Sequence, residues 1–135
     1  MLNKLILSNF QSHRRSKLIF SPGVNCIIGS SDVGKTAIIR ALRWLVSNRP
    51  QGESFRSNWG GDTDVTLYFD DNYISRIRTD KKNIYCLNDL EFEAVRSEVP
   101  EEIQKALNFN EINLQRQFDR PFLIDETPGN VAAFF

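Results

Sequence analysis

Cysteine and histidine are nearly absent: Cys26, Cys86 and His13 are the whole supply in 135 residues. The cysteines share no paired spacing, and His13 is their only companion, so neither a disulfide framework nor a zinc site is indicated. An excess of charge is also missing, because 17 Lys and Arg balance 17 Asp and Glu. Net charge therefore gives no general argument for nucleic acid or for membranes, and such a partner must be argued from a local patch. No stretch approaches the eighteen or more apolar residues of a membrane helix, and the N-terminus lacks the apolar core and cleavage site of a signal peptide. There is no internal repeat and no low-complexity segment. What remains, 41% apolar and 25% charged, is the composition of one globular domain, expected in the cytoplasm.

Glycine is sparse too, with seven in the chain, yet two of them fall where a motif needs them. Gly29-Ser30-Ser31-Asp32-Val33-Gly34-Lys35-Thr36 fills every required position of the phosphate-binding pattern G-x-x-x-x-G-K-[ST]. The pattern carries weight where a strand enters it and a helix leaves it. Val24 to Ile28 is a short apolar run expected as that strand, and Ile38, Ala41, Leu42 and Leu45 recur on one helical face. The helix is expected to end near Asn48, before Pro50. In such a P-loop the backbone N–H groups from Gly29 through Thr36 and Ala37 face the phosphates, aided by the helix N-terminus. Lys35 would reach the β- and γ-phosphates of ATP, and the Thr36 hydroxyl would ligate Mg²⁺.

In chain order, Lys4 to Ser8 and Lys17 to Phe20 read as two strands joined by a polar loop, Asn9 to Arg15. Residues 51–61 show no periodicity and read as a connecting loop, with Ser57 to Trp59 a candidate for adenine contact. Val65, Leu67 and Phe69 then alternate with polar residues, Asp71-Asn72 supplies a turn, and Tyr73–Arg78 and Asn83–Leu87 complete an antiparallel meander. Arg76, Arg78, Lys81 and Lys82 concentrate positive charge there, which suits either a guarded sheet edge or DNA phosphates. Phe92 to Glu98 is expected to be helical. So is Pro100 to Leu107, with proline at its first turn and carboxylates where the helix dipole favours them. Thr127-Pro128 reads as the start of another helix. Because the chain stops on Phe134-Phe135 within that helix, residues 1–135 are expected to be the N-terminal part of a longer polypeptide.

This order of elements, with Asn9-Phe10-Gln11-Ser12-His13 after the first strand, Gly23 to Gly29 entering the P-loop, and Gln115-Arg116-Gln117-Phe118-Asp119 after the meander, resembles the N-terminal half of the ATPase head in the SMC family. Within that branch of the ABC-type ATPases it is most similar to the double-strand-break repair ATPases of the SbcC (Rad-fifty) type and their phage relatives. The resemblance implies an α/β P-loop lobe, with a mixed sheet around the P-loop helix and an antiparallel meander. It also implies that a glutamine completes the Mg²⁺ and water shell. Gln117 is preferred on its spacing to Pro128, with Gln115 the alternative. The family often has arginine where this chain has Gln11, so an arginine contact to nucleotide would fall to Arg14 or Arg15.

Further implied are a C-terminal half folded back along a coiled coil, which would bring Walker B and signature motifs, and a second head that sandwiches ATP in a dimer. DNA and a nuclease subunit are the other partners implied, with ATP hydrolysis coupled to DNA binding in recombination, repair or chromosome maintenance. Alone, this half should bind ATP but turn it over poorly. Two alternatives stay open. Phe122-Leu123-Ile124-Asp125-Glu126 has the make-up of a Walker B strand, which would make the chain a self-contained ATPase, although Pro121 and the nine residues that follow argue against a central strand. The other is a nucleotide-binding interaction module without hydrolysis. A GTPase is disfavoured, since neither D-x-x-G nor N-K-x-D occurs.

Overall fold

The computed structural model describes residues 1–94, 97–109, 111–119 and 127–134. Six strands form one sheet in the order β2-β1-β3-β4-β5-β6, with every neighbouring pair antiparallel. These are β1 Leu2–Phe10, β2 His13–Ile19, β3 Thr63–Phe69, β4 Asn72–Arg78, β5 Asn83–Leu87 and β6 Leu90–Glu93. The helices are α1 Lys35–Ser47, α2 Glu101–Leu107 and α3 Pro128–Phe134, with a 3-10 turn at Glu111–Asn113.

Alternation along the strands decides which face packs. Leu5 and Leu7 of β1, Val65 and Leu67 of β3, Ile74 of β4 and Tyr85 of β5 are fully buried on one face. Against that face α1 lays Ile38, Ala41, Leu42, Trp44 and Leu45, and α2 adds Ile103. Phe10, Trp44 and Phe55 close the end of this core as an aromatic cluster with ring centroids 4.2 to 6.0 Å apart. Helix α1 stops at Asn48, whose positive φ of 53° lets its N–H return to the Trp44 carbonyl.

The α/β lobe around the P-loop helix is the expected one, and the first hairpin and the meander belong to a single sheet because β1 pairs with β3. Three expectations about its elements are corrected. Val24 to Ile28 is irregular chain, with Val24 97% and Ile28 88% exposed. A strand needs a neighbour's N–H and C=O groups, and Val24 to Ile28 pairs with none of the six strands. The antiparallel pairing throughout follows, since this run would have been the parallel element of a mixed sheet. Phe92 and Glu93 end strand β6 and do not open a helix: Asn88-Asp89 makes a two-residue hairpin turn, with Asn88 at φ 52°, that sets Phe92 opposite Tyr85. Asn9 to Arg15 is likewise no open loop, since only Gln11 and Ser12 separate β1 from β2. Thr127 does cap α3, its Oγ1 accepting the Asn130 N–H. Pro121 to Glu126, including Asp125-Glu126, lies outside the described residues.

Candidate nucleotide-binding site

Gly34 is the N-cap of α1 at φ 92°, and Asp32 before it stands at φ 62°, so the chain turns sharply into the helix. Lys35 and Thr36 open the helix, where N–H groups lack intrahelical partners. The Lys35 ammonium reaches back over the loop and donates to the Gly29 carbonyl at 2.7 Å and to the Ser30 carbonyl. The lysine thus holds the ends of the loop together and keeps its charge over the cradle. A Cβ at Gly29 would lie 2.9 Å from Cγ2 of the exposed Val33, so a larger residue there would make that side chain shift.

An open cleft of about 640 Å³ runs beside this loop. It is lined by Asp32 and Gly34 of the loop, by Lys35, Thr36, Ala37 and Arg40 of α1, by Gln11 and Ser12 of the hairpin tip, and by Ser54, Arg56, Asn58 and Trp59. The 48–62 connection contributes to this lining because the backbone of β1 holds it. Gln11 N–H donates to the Phe55 carbonyl at 2.7 Å, Ser57 N–H donates to the Asn9 carbonyl at 3.2 Å, and the Ser57 hydroxyl donates to the Gln11 carbonyl at 2.7 Å. Asn9 is the pivot. Its amide donates to the Asp62 carbonyl at 3.0 Å and accepts the Trp59 indole N–H at 2.9 Å, leaving Trp59 46% exposed at the cleft. The Arg14 guanidinium lies 5.0 Å from the centre of that ring, within cation–π range.

Of the residues expected at the nucleotide, 29–37 lie together at the head of α1. The two arginines part: Arg14 leans on Trp59, whereas Arg15 stands opposite Ser8 on the sheet face turned away from α1. Within the adenine candidate, Ser57 is buried and hydrogen bonded, which leaves Asn58 and Trp59 at the cleft. Gln115 and Gln117 are exposed in a turn that Arg116 and Asp119 close, and neither lines the cleft. In that turn the Arg116 hydrogen bonds hold the Asp119 carboxyl below its usual range. Thr36, exposed at the cleft, offers the hard oxygen that Mg²⁺ takes beside phosphate oxygens and water, so this residue fits the ion. No group of three or more His, Cys, Asp or Glu among the described residues could hold a metal by itself.

The basic cluster does not survive intact. Arg76 is buried between the rings of Trp44 and Tyr85, 4.7 and 4.8 Å from their centres. It donates to Asn48 Oδ1 at 3.0 and 3.3 Å and to the Ile77 and Ile84 carbonyls at 3.2 Å each. Burial lowers its pKa from the usual arginine value, and a guanidinium so enclosed cannot meet DNA phosphates. Arg78 is paired with Glu53 at 2.8 Å, so Lys81 and Lys82 carry the exposed charge at this turn, Lys82 facing Glu91 at 3.9 Å. Sequence reasoning missed one residue at the site altogether. His13 places Nε2 2.8 Å from the Gly34 carbonyl and Nδ1 2.7 Å from Ser16 Oγ, and only its place beside Ser12 in the segment after β1 hinted at it.

A family model described as "AAA domain" matches residues 4–126. Among curated proteins, the "DNA double-strand break repair Rad50 ATPase" of Thermococcus kodakarensis is 36% identical over 76 residues, which is 51% of this chain and 8% of that protein. The "DNA replication and repair protein RecF" of Renibacterium salmoninarum is 44% identical over 46 residues, 34% of this chain and 12% of that protein. The matches therefore span well under two thirds of these relatives. One solved structure, described as "Structural biochemistry of ATP-driven dimerization and DNA stimulated activation of SMC ATPases", superposes with a TM-score of 0.70 at 18% identity, covering 98% of this chain and 95% of that one. At that identity the likeness speaks for the fold, and it is the fold that the P-loop and sheet had indicated. The chain belongs to the AAA domain family.

Proposed function

We propose that this chain binds ATP with Mg²⁺ at residues 29–37 and is the N-terminal half of an ATPase head, residues 1–135, that hydrolyses ATP in concert with DNA transactions in recombination or repair. The observation that carries the reading is the P-loop at the head of α1, with Gly34 turning the chain, Lys35 poised over the cradle and Thr36 open to the cleft. Lys35 would release the Gly29 and Ser30 carbonyls for phosphate oxygens, while the first N–H groups of α1 add a partial positive charge. Bound Mg²⁺ would supply charge neutralisation at the β- and γ-phosphates. The exposure of Trp59 at the cleft, its indole N–H held by Asn9, supports a contact to the base there, with loop packing the alternative role. Gln117, or Gln115, is the family-type residue for the metal and water shell, to be brought there by partners absent from this chain.

Those partners follow from the same reading. Val24 to Ile28 carries strand-forming apolar side chains in the open, which supports completion of the sheet by a C-terminal half that also supplies Walker B and signature motifs. A second head sandwiching ATP, DNA, and a nuclease subunit complete the proposed assembly, and Lys81 and Lys82 are the remaining candidates for DNA phosphates. No helix among the described residues is long and apolar enough to cross a membrane.

Calorimetry with Mg-ATP tests the core of this. Lys35→Ala should weaken binding by about 1.5–3 kcal/mol, as for loss of a charge-assisted hydrogen bond; an unchanged dissociation constant would overturn the site. Adding the C-terminal half in trans should raise turnover well above that of the 135-residue chain. If the chain alone turns over about one ATP per second and Glu126→Gln abolishes it, the self-contained ATPase is the correct reading.

A further inference from the structure

We infer that His13 is a positioning residue of the phosphate cradle, latching the β1–β2 hairpin to the P-loop so that the Lys35 N–H faces the nucleotide. The inference rests on the ATP-binding reading above and adds a residue outside the phosphate-binding pattern. A bond from Nε2 to the Gly34 carbonyl requires the proton on Nε2, because a carbonyl oxygen only accepts. In the neutral ring the Ser16 hydroxyl then donates to Nδ1, and in the charged ring it accepts from Nδ1. Both ring nitrogens are thus engaged in either state, and the imidazole is fixed at two points.

What the latch fixes is a peptide plane. In a trans peptide the carbonyl and the following N–H point in opposite directions. Holding the Gly34 carbonyl against His13 therefore turns the Lys35 N–H to the opposite side of the 34–35 peptide. That N–H is one of the donors at the start of α1 that the helix leaves open for an anion. Gly34 is shaped to this contact. A Cβ built on it would sit 2.8 Å from His13 Nε2 and 2.7 Å from Ser12 Oγ, and its φ of 92° already disfavours a side chain. The hairpin tip thus fills the space that a larger residue would need.

The test is Mg-ATP affinity of the 135-residue chain, combined with amide NMR. His13→Leu removes the donor while keeping bulk. It should weaken ATP binding about tenfold, the order of one lost hydrogen bond, and shift the Lys35 amide resonance while leaving those of Leu67 and Ile74 in the sheet in place. His13→Gln, whose amide can still donate to the Gly34 carbonyl, should recover affinity to within about threefold of the parent, which a purely packing role would not predict. Ser16→Ala, which frees the ring at one point, should give an intermediate loss and serves if His13→Leu fails to fold. Should His13→Leu and Ser16→Ala bind ATP as the parent does while Lys35→Ala does not, the latch is wrong and the nucleotide site stands. Absence of ATP binding in the parent would overturn both readings.

Discussion

Leu5-Ile6-Leu7 and Val24-Asn25-Cys26-Ile27-Ile28 are both short strand-forming runs, yet the first lies in the middle of the sheet and the second lies open to solvent. Composition does not separate them. Leu5 stands between Leu18 of β2 and Leu67 of β3, so its strand is paired on both sides and its side chain is fully buried in the core. The second run has its strand propensity without a ladder. Burial and pairing together make a strand stable, and propensity alone does not.

The largest effect should come from exploiting that contrast. Leu67→Ala in β3 removes a fully buried side chain and should destabilise the chain by about 2–5 kcal/mol. Ile28→Ser, in the open run, should change stability by no more than about 0.5 kcal/mol. Urea denaturation of both measures the difference. A loss at Ile28 comparable to that at Leu67 would show that the open run is packed in solution. If Ile28→Ser leaves stability unchanged but weakens association with the C-terminal half, the contrast sharpens into a docking edge.

A second pair, two residues apart on β4, separates a buried cation from an exposed one. Arg76→Ala removes four hydrogen bonds and two ring contacts from the core and should destabilise by about 1–3 kcal/mol. Arg78→Ala breaks a partly exposed pair with Glu53 and should stay within about 1 kcal/mol. Equal losses at the two sites, measured by thermal unfolding, would deny the structural role assigned to Arg76. The same pair of variants bears on DNA: neither exposure nor partners leave Arg76 available for a phosphate.

These pairs also mark what was legible beforehand. The P-loop and α1 could be read because a motif fixes its own spacing and the apolar period of the helix runs uninterrupted from Ile38 to Leu45. The meander could be read because Val65, Leu67 and Phe69 alternate and turn residues bracket them. Arg76 was misread although its signal was present: it follows Ile74 by two residues, hence shares the buried face. Asn9 at φ 48° carried β1 one step past the regular alternation, so that Phe10 turns into the core and draws the 48–62 connection with it. No local pattern encodes that. Nor does any encode His13, whose partner Gly34 lies 21 residues away, or the lack of a strand neighbour for Val24 to Ile28.

The smallest expected effect lies on the outer face of the sheet, where Asp64 accepts the Thr66 hydroxyl at 2.7 Å and Thr66 in turn meets Ser75 at 2.7 Å. Burial raises the Asp64 pKa above its ordinary value, and the Thr66 hydrogen bond only partly offsets that rise. The sign follows directly. Below the ordinary value of 3.8 both folded and unfolded chains carry the proton, and the group does not influence stability. As pH rises, the unfolded chain loses its proton first, so the fold is progressively disfavoured until pH passes the higher folded value. Asp64→Asn keeps an oxygen for the Thr66 hydroxyl and removes the charge, so it should be more stable than the parent at pH 7 and equal to it near pH 3. Thermal unfolding at the two pH values reads this out. An Asn variant less stable than the parent at pH 7 would mean that the carboxylate is favoured in the fold, and that the outer face of β3 is wetter than its packing suggests.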